Sequence, residues 1–377
     1  MRWLVALVAI FSAACGDNEG RWLERSRVTV NGTDQTNEEC RTGLCVHDEN
    51  TDLIKWGGHI YLVHRTAESQ VLGPNSSLRI SRTDDEGTTW TLLAIIPAPT
   101  DRDLRDPHFY LDDAGQLNIK AITRLPHTSA RDSDVDSISV RTFSSDDGRT
   151  WSDLAPIGPP TWSFWRIRGD THGNLYSAAY EDGDKSVKLF SSEDGVTWTA
   201  GAMIYDVAED TPLETELIFD GDHLTALVRM DGLDNELYGS QGRLRTKVCT
   251  SDYPFASFTC AKELTGVRLD GPVAFEWDHR TFVVARKHFL EVANRKRTAL
   301  YELVDDGIVE HGELPSTGDT AYAGVAALGD DGRFLVSYYS SDIKIDGPWA
   351  RALLGPTDIR QATIDLRDLP ADPTPIN

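Results

Sequence analysis

The chain has 377 residues, 40% of them apolar, with 30 Gly, 17 Pro and 10 Trp; this composition excludes a multi-span membrane protein, a coiled coil and a disordered chain. Against 60 Asp and Glu there are 37 Lys and Arg, a formal charge of −23, which argues against binding nucleic acid through its phosphates, because counterion release needs a Lys/Arg surface. Any anionic ligand must be met by a local cluster of arginines inside an acidic protein.

The chain opens with Arg2, an apolar run over residues 3–11, and then Ser12-Ala13-Ala14-Cys15-Gly16. A basic start, a short apolar run and small residues before a cut site read as a secretory signal over residues 1–14. The run is about half of the ~20 residues that a membrane span needs. Small residues before a Cys resemble the bacterial lipoprotein cleavage box, which implies a lipid on Cys15; an ordinary signal peptide with an incidental Cys is the alternative. The expected location is the cell envelope, with the lipid anchor in the outer membrane as the sole membrane contact. Residues 15–47 then read as a tether. Cys40, Cys45, Cys249 and Cys260 remain, and an even number in an exported chain suggests two disulfides. Three pairings are possible; the close spacings favour Cys40–Cys45 and Cys249–Cys260, and a metal site is the weaker alternative. The ten histidines, His47, His64, His108 and His288 among them, show no close ligand pairs. They read as turn or surface residues, and no metal or other cofactor is expected.

From residue 48 onward, short strands alternate with turn clusters. Thr83-Asp84-Asp85-Glu86-Gly87-Thr88-Thr89-Trp90 fits Ser/Thr-x-Asp-x-Gly-x-x-Trp. Ser144-Ser145-Asp146-Asp147-Gly148-Arg149-Thr150-Trp151 repeats it, and Ser191-Ser192-Glu193-Asp194-Gly195-Val196-Thr197-Trp198 repeats it with Glu193 in the acid's place. Degraded copies start at Thr250 and at Ser340, the latter continuing to Trp349. In such a turn, side-chain oxygens accept backbone N–H groups, Gly takes the positive φ, and Trp folds onto an apolar face. Six strand-and-turn units can be counted, which reads as an all-β chain; with the resemblance given below, they imply a six-bladed β-propeller of four-stranded antiparallel blades. The units fall near residues 48–97, 103–157, 162–203, 212–265, 269–312 and 317–368, with a tail over 369–377. No long helix is expected, and Arg295-Lys296-Arg297 reads as a solvated loop.

These motifs resemble the Asp-box of the sialidase superfamily, in which it joins outer strands of propeller blades and has a structural role. The chain is also similar to uncharacterised exported sialidase-like proteins over 314–341. The resemblance implies a glycosidase with a Tyr nucleophile, a buried Glu as its base and arginines that clamp the carboxylate of an acidic sugar. Carried over to this sequence, Asp319-Thr320-Ala321-Tyr322 supplies the nucleophile Tyr322, Glu214 its base, and Arg229 and Arg286 two carboxylate ligands. Such chemistry suits these types: a neutral Tyr approaches a carbon beside an anion with less repulsion than a carboxylate would, and guanidinium forks grip carboxylates in bidentate fashion. Where the resemblance implies a first Arg in Arg-Ile-Pro, this chain reads Asn50-Thr51-Asp52-Leu53-Ile54. Asp52 is then a candidate acid at the rim, and Arg105 or Arg166 a replacement cation.

The starts of successive units carry Asn50/Asp52, Arg105/Asp106, Arg166, Glu214, Asp270/Gly271 and Asp319/Tyr322, all facing the axis of a propeller. Two other readings stand beside the sialidase-like one. Arg105-Asp106-Pro107 resembles a tripeptide of arabinan and fructan glycosidases, which makes Asp52, Asp106 and Glu214 a carboxylate set. A non-catalytic glycan-binding or scaffold propeller would also keep the Asp-boxes. The expected partner is a glycan, and the expected state a monomer.

Overall fold

A computed structural model describes residues 22–30, 32, 47–68, 70, 76–125, 137–145, 147–181, 185–207, 209–231, 244–289, 295–349, 355–370 and 376. Cys15, Cys40, Cys45 and Asp146 lie outside the described residues, and with them the lipidation site, one proposed disulfide and the predicted acid of the second Asp-box.

The strands form six four-stranded antiparallel sheets, the six-bladed propeller that the repeats and their resemblance imply. Five blades are continuous in sequence, running from His47–Trp56 to Thr91–Pro97, Asp103–Leu111 to Ala155–Pro156, Trp162–Gly169 to Thr199–Asp206, Thr211–Asp220 to Thr259–Thr265, and Asp270–Trp277 to Gly307–Leu314. The sixth takes its inner three strands from Thr320–Ala327, Arg333–Ser340 and Asp358–Asp365 and its outer strand from Leu23–Val30. This corrects the expected tether over residues 15–47: Ser26, Arg27 and Val28 pair with Ala362, Gln361 and Arg360. Trp22 is buried against the same blade.

Alternating apolar residues on both faces of each sheet build six buried clusters, one in each gap between neighbouring blades. Tyr61, Val63 and Ile80 of blade one meet Leu104, Phe109 and Ile119 of blade two. Leu53 and Leu62 of blade one meet Leu335 and Tyr339 of blade six and so close the ring. Gly324 permits that closure, because a Cβ there would lie 2.2 Å from the Leu53 nitrogen and 2.5 Å from the Asp52 carbonyl carbon.

The Asp-boxes join third to outer strands. In the first, Asp85 accepts from the Thr89 nitrogen at 2.7 Å and from Thr83 Oγ1 at 2.8 Å, which holds its carboxyl down to about 2. Gly87 has φ +80°, and Trp90 Nε1 donates to Gln361 of blade six at 2.7 Å. In the second, Asp147 accepts from the Arg149 nitrogen, Gly148 has φ +69° and Trp151 donates to the Gly148 carbonyl. The third has the same register as the second, and both depart from the predicted pattern: the acid directly before the glycine accepts from the nitrogens two and three residues on. Asp194, not Glu193, accepts from Val196 and Thr197 nitrogens, while Gly195 (φ +72°) donates to Ser192 Oγ and Trp198 packs edge-on against Phe164; the turn is one residue tighter, so the neighbouring acid fits and Glu193 stays exposed. The copy at Thr250 occupies the matching turn of blade four, which the Cys249–Cys260 disulfide bridges. The copy at Ser340 follows a second strand instead, so it lies at the other end of its blade. Arg295, Lys296 and Arg297 begin the strand Arg295–Val304, with Lys296 buried over the Trp349 ring at 3.8 Å, which corrects the solvated-loop reading.

Candidate active site

One irregularity recurs at the hub. Each innermost strand slips register once against its neighbour: between Glu49 and Asp52, Arg105 and His108, Phe164 and Ile167, Pro212 and Thr215, Asp270 and Val273, and Ala321 and Gly324. Two residues per strand thereby leave the ladder, as in a β-bulge, which re-aims side chains. The pairs are Asn50-Thr51, Asp106-Pro107, Trp165-Arg166, Leu213-Glu214, Gly271-Pro272 and Tyr322-Ala323. Asn50, Asp106, Gly271 and Tyr322 take positive φ of 53°, 51°, 56° and 47°. For a residue as bulky as Tyr that conformation costs on the order of 1–3 kcal/mol and persists only where its surroundings enforce it.

The surroundings of Tyr322 do so. Its ring lies on Gly271, where a Cβ would come within 2.8 Å of Cδ2. The Arg286 guanidinium sits over its face at 5.1 Å and Trp165 meets its edge at 5.8 Å. Tyr322 Oη donates to Glu214 Oε1 at 2.5 Å and accepts from Arg229 Nη1 at 3.1 Å, and the same Nη1 bonds Glu214 Oε2. The structure thus brings Tyr322 onto Glu214 and Arg229, which lie 108 and 93 positions away in sequence. Enclosure and then the Glu214 charge push the phenol well above its ordinary range. Burial raises the Glu214 carboxyl, against the pull of Arg229.

The two arginines expected to clamp a carboxylate already hold protein acids. Arg229 forks onto Asp231 at 2.7 and 3.0 Å, in addition to Glu214. Arg286 donates to the Thr320 carbonyl at 2.8 Å, Tyr339 Oη at 2.9 Å and Asp319 at 3.2 Å. Between them lies Asp270, bonded by Arg268 at 2.7 and 2.8 Å and by His288 at 2.8 Å, with Arg229 at 3.3 Å. Burial would raise Asp270, but Arg229 and Arg268 hold it well below the usual carboxylate range. Asp319 is correspondingly a partner of Arg286 rather than a free ligand.

Arg166 and Asp52 are also committed to the protein. Arg166 reaches across the hub from blade three to Asp52 Oδ1 of blade one at 2.7 Å, the Pro272 carbonyl of blade five at 3.4 Å and the Ala323 carbonyl of blade six. The other Asp52 oxygen accepts from the Phe109 nitrogen at 2.8 Å. Asp52 is thus buried and not at the rim as the sequence suggested, and Arg166, expected to face the axis as a replacement cation, is turned by the bulge in blade three onto that carboxylate. Arg105 lies further out, bonded to Asp103 and to the Gln70 carbonyl. Asp106 does face the hub, accepting from Asn50 Nδ2, and burial raises its carboxyl.

Sequence reasoning missed Lys120, Asp231, Arg268 and His288. Lys120 is fully buried on the strand behind Asp106 and donates to its carbonyl at 3.2 Å; burial brings its ammonium down to about 7. The signal for Asp231 and Arg268 was spacing: Arg229/Asp231 and Arg268/Asp270 stand two residues apart, as do Asp103/Arg105, hence on one face of extended chain. The histidines differ from expectation too, since His47, His64 and His108 are buried.

No family model and no curated protein matches the chain. Among solved structures, a protein of unknown function from Dyadobacter fermentans is similar over 91% of this chain and 98% of its own, with 18% identity and a TM-score of 0.64. The Hadza microbial sialidase Hz136 is similar over 86% of this chain, which spans 66% of that protein, with 16% identity and a TM-score of 0.61. An alpha-L-arabinanase of Penicillium chrysogenum is similar over 86% of this chain and 95% of its own, with 14% identity and a TM-score of 0.56. At such identities the likeness is one of fold.

Proposed function

We propose that the protein is a glycoside hydrolase whose reaction runs at the hub, with Tyr322 as nucleophile and Glu214 as its base. The observation that carries this reading is the 2.5 Å bond from Tyr322 Oη to Glu214 Oε1, with Arg229 touching both groups. The phenol attacks the anomeric carbon as its proton passes to Glu214, and the sugar is held as an aryl glycoside. Asp106, whose charge reaches Tyr322 and whose raised pKa suits a proton donor, protonates the departing oxygen. Water then releases the sugar from Tyr322, with Asp106 as base and Glu214 returning the phenolic proton.

An acidic terminal sugar is the substrate that the sialidase-like motifs imply. Filled guanidinium forks favour a second reading, a neutral sugar, because an incoming carboxylate has to displace Asp231 from Arg229. A panel of fluorogenic glycosides separates them: an α-sialoside, a β-glucuronide, an α-L-arabinofuranoside and a β-galactoside. Turnover of the first two supports the acidic sugar and turnover of the last two the neutral one. Binding of glycans without any turnover overturns the enzyme reading in favour of a glycan-binding propeller.

The cell-envelope location rests on residues 1–15 and is part of the same proposal. Palmitate incorporation in a bacterial host is expected for the full chain and is lost in Cys15→Ser; incorporation that survives the substitution refutes a lipid on Cys15.

A further inference from the structure

Where the ring closes, three side chains from blades one and six point at one small space. His47 and Glu49 share a face of the first inner strand, and Asp319 precedes the inner strand of blade six. All three are at most 1% exposed. His47 Nδ1 is 2.7 Å from the Gly355 carbonyl; a carbonyl only accepts, so Nδ1 carries a proton, and in the neutral ring Nε2 presents its lone pair to the space. Glu49 Oε1 is taken by Arg65 at 2.5 Å. Asp319 Oδ1 is taken by Trp349 Nε1 at 2.9 Å, Tyr339 Oη at 3.0 Å and Arg286 at 3.2 Å. The remaining atoms, His47 Nε2, Glu49 Oε2 and Asp319 Oδ2, have no hydrogen-bond partner among the described residues. Orphaned atoms of this kind at such depth call for an occupant.

Their spacing indicates what it is. Nε2 lies 3.4 Å from Glu49 Oε2 and 3.5 Å from Asp319 Oδ2, longer than the roughly 2.7–3.2 Å of an N–H···O bond. Two ligands each about 2.1 Å from a tetrahedral ion stand about 3.4 Å apart. We infer that His47, Glu49 and Asp319 form a divalent metal site of the zinc type that ties blade one to blade six. One imidazole and two carboxylates suit Zn²⁺ better than Ca²⁺, which takes six to eight oxygens. The outer partners are in place: the Gly355 carbonyl fixes the imidazole tautomer, and Arg65, Tyr339 and Trp349 orient the carboxylates. Its burial marks the site as structural, separate from Tyr322 and Glu214, and it does not depend on the chemistry proposed for them. The rival occupant is a proton, which makes His47 an imidazolium between two carboxylates.

The test measures metal content and melting temperature of the full chain produced in zinc-supplemented medium without chelator. Close to one zinc per chain is expected, with a Tm that falls on chelation, recovers with ZnCl₂ and responds less to CaCl₂. His47→Gln and Glu49→Gln are each expected to weaken zinc binding at least tenfold. Absence of zinc together with a Tm indifferent to chelator and to ZnCl₂ overturns the site in favour of the imidazolium. Undiminished zinc in both variants overturns it as well, by placing the ion elsewhere. The measurements on the unaltered chain decide the matter even where a variant fails to fold.

Discussion

Tyr322→Phe, which deletes a single oxygen, is expected to lower kcat by about 10³-fold or more on whichever glycoside the proposed hydrolase turns over, the scale on which a lost nucleophile registers. Binding of the glycan and the melting temperature should change little. The Phe ring keeps its seat on Gly271, beneath Arg286 and against Trp165, and Glu214 keeps its bond to Arg229. Steady-state kinetics beside calorimetric binding check this, and a rate within tenfold of the parent would exclude attack by the phenol. The pH profile carries a second signature. Glu214 accepts the proton only when ionised, and burial raises its pKa. Turnover should therefore fall as pH drops through a value above the ordinary Glu range of about 4.3. An acid limb at or below that range would contradict the role given to Glu214.

The second large effect is on stability. Arg166→Met is expected to destabilise the fold by about 3–5 kcal/mol, because it strands Asp52 as a buried charge that has lost its cation. The Ala323 carbonyl also loses its donor, whereas the Pro272 carbonyl retains Trp165 Nε1 at 3.2 Å. Replacing both partners with apolar residues, Arg166→Met with Asp52→Leu, should restore much of the loss, since the unpaired charge disappears with its partner. Chemical denaturation of the single and double variants measures this. A residue that merely gripped substrate would leave stability within about 0.5 kcal/mol and raise KM instead, so the two roles part cleanly.

The blades were legible because their signals are local. Gly at a positive φ, an acid that caps backbone nitrogens and a Trp folded over the turn all act within eight residues, and the blade limits follow from their recurrence. The pairing of Tyr322 with Glu214 was legible through motif resemblance, and the bulges explain how side chains on separate strands turn toward a common centre. What escaped was non-local. Leu23–Val30 carries no turn signal of its own and becomes a strand only beside Asp358–Asp365. The sequence shows that Arg166, Arg229 and Arg286 are present; it does not show that Asp52, Asp231 and Asp319 occupy their forks, because that depends on which faces of different blades meet. Glu193 failed for a subtler reason: two adjacent acids satisfy the pattern equally well, and a one-residue difference in turn length selects Asp194.

Pairing Leu23–Val30 with Asp358–Asp365 has a bearing on biosynthesis. Leu23–Val30, the first strand among the described residues, must wait for almost the whole polypeptide before its neighbour exists, so the circle cannot lock until translation is nearly over. Until then Leu23–Val30 is an unpaired segment open to other chains. A late latch of this kind keeps the nascent polypeptide pliable until almost all of its blades have been made.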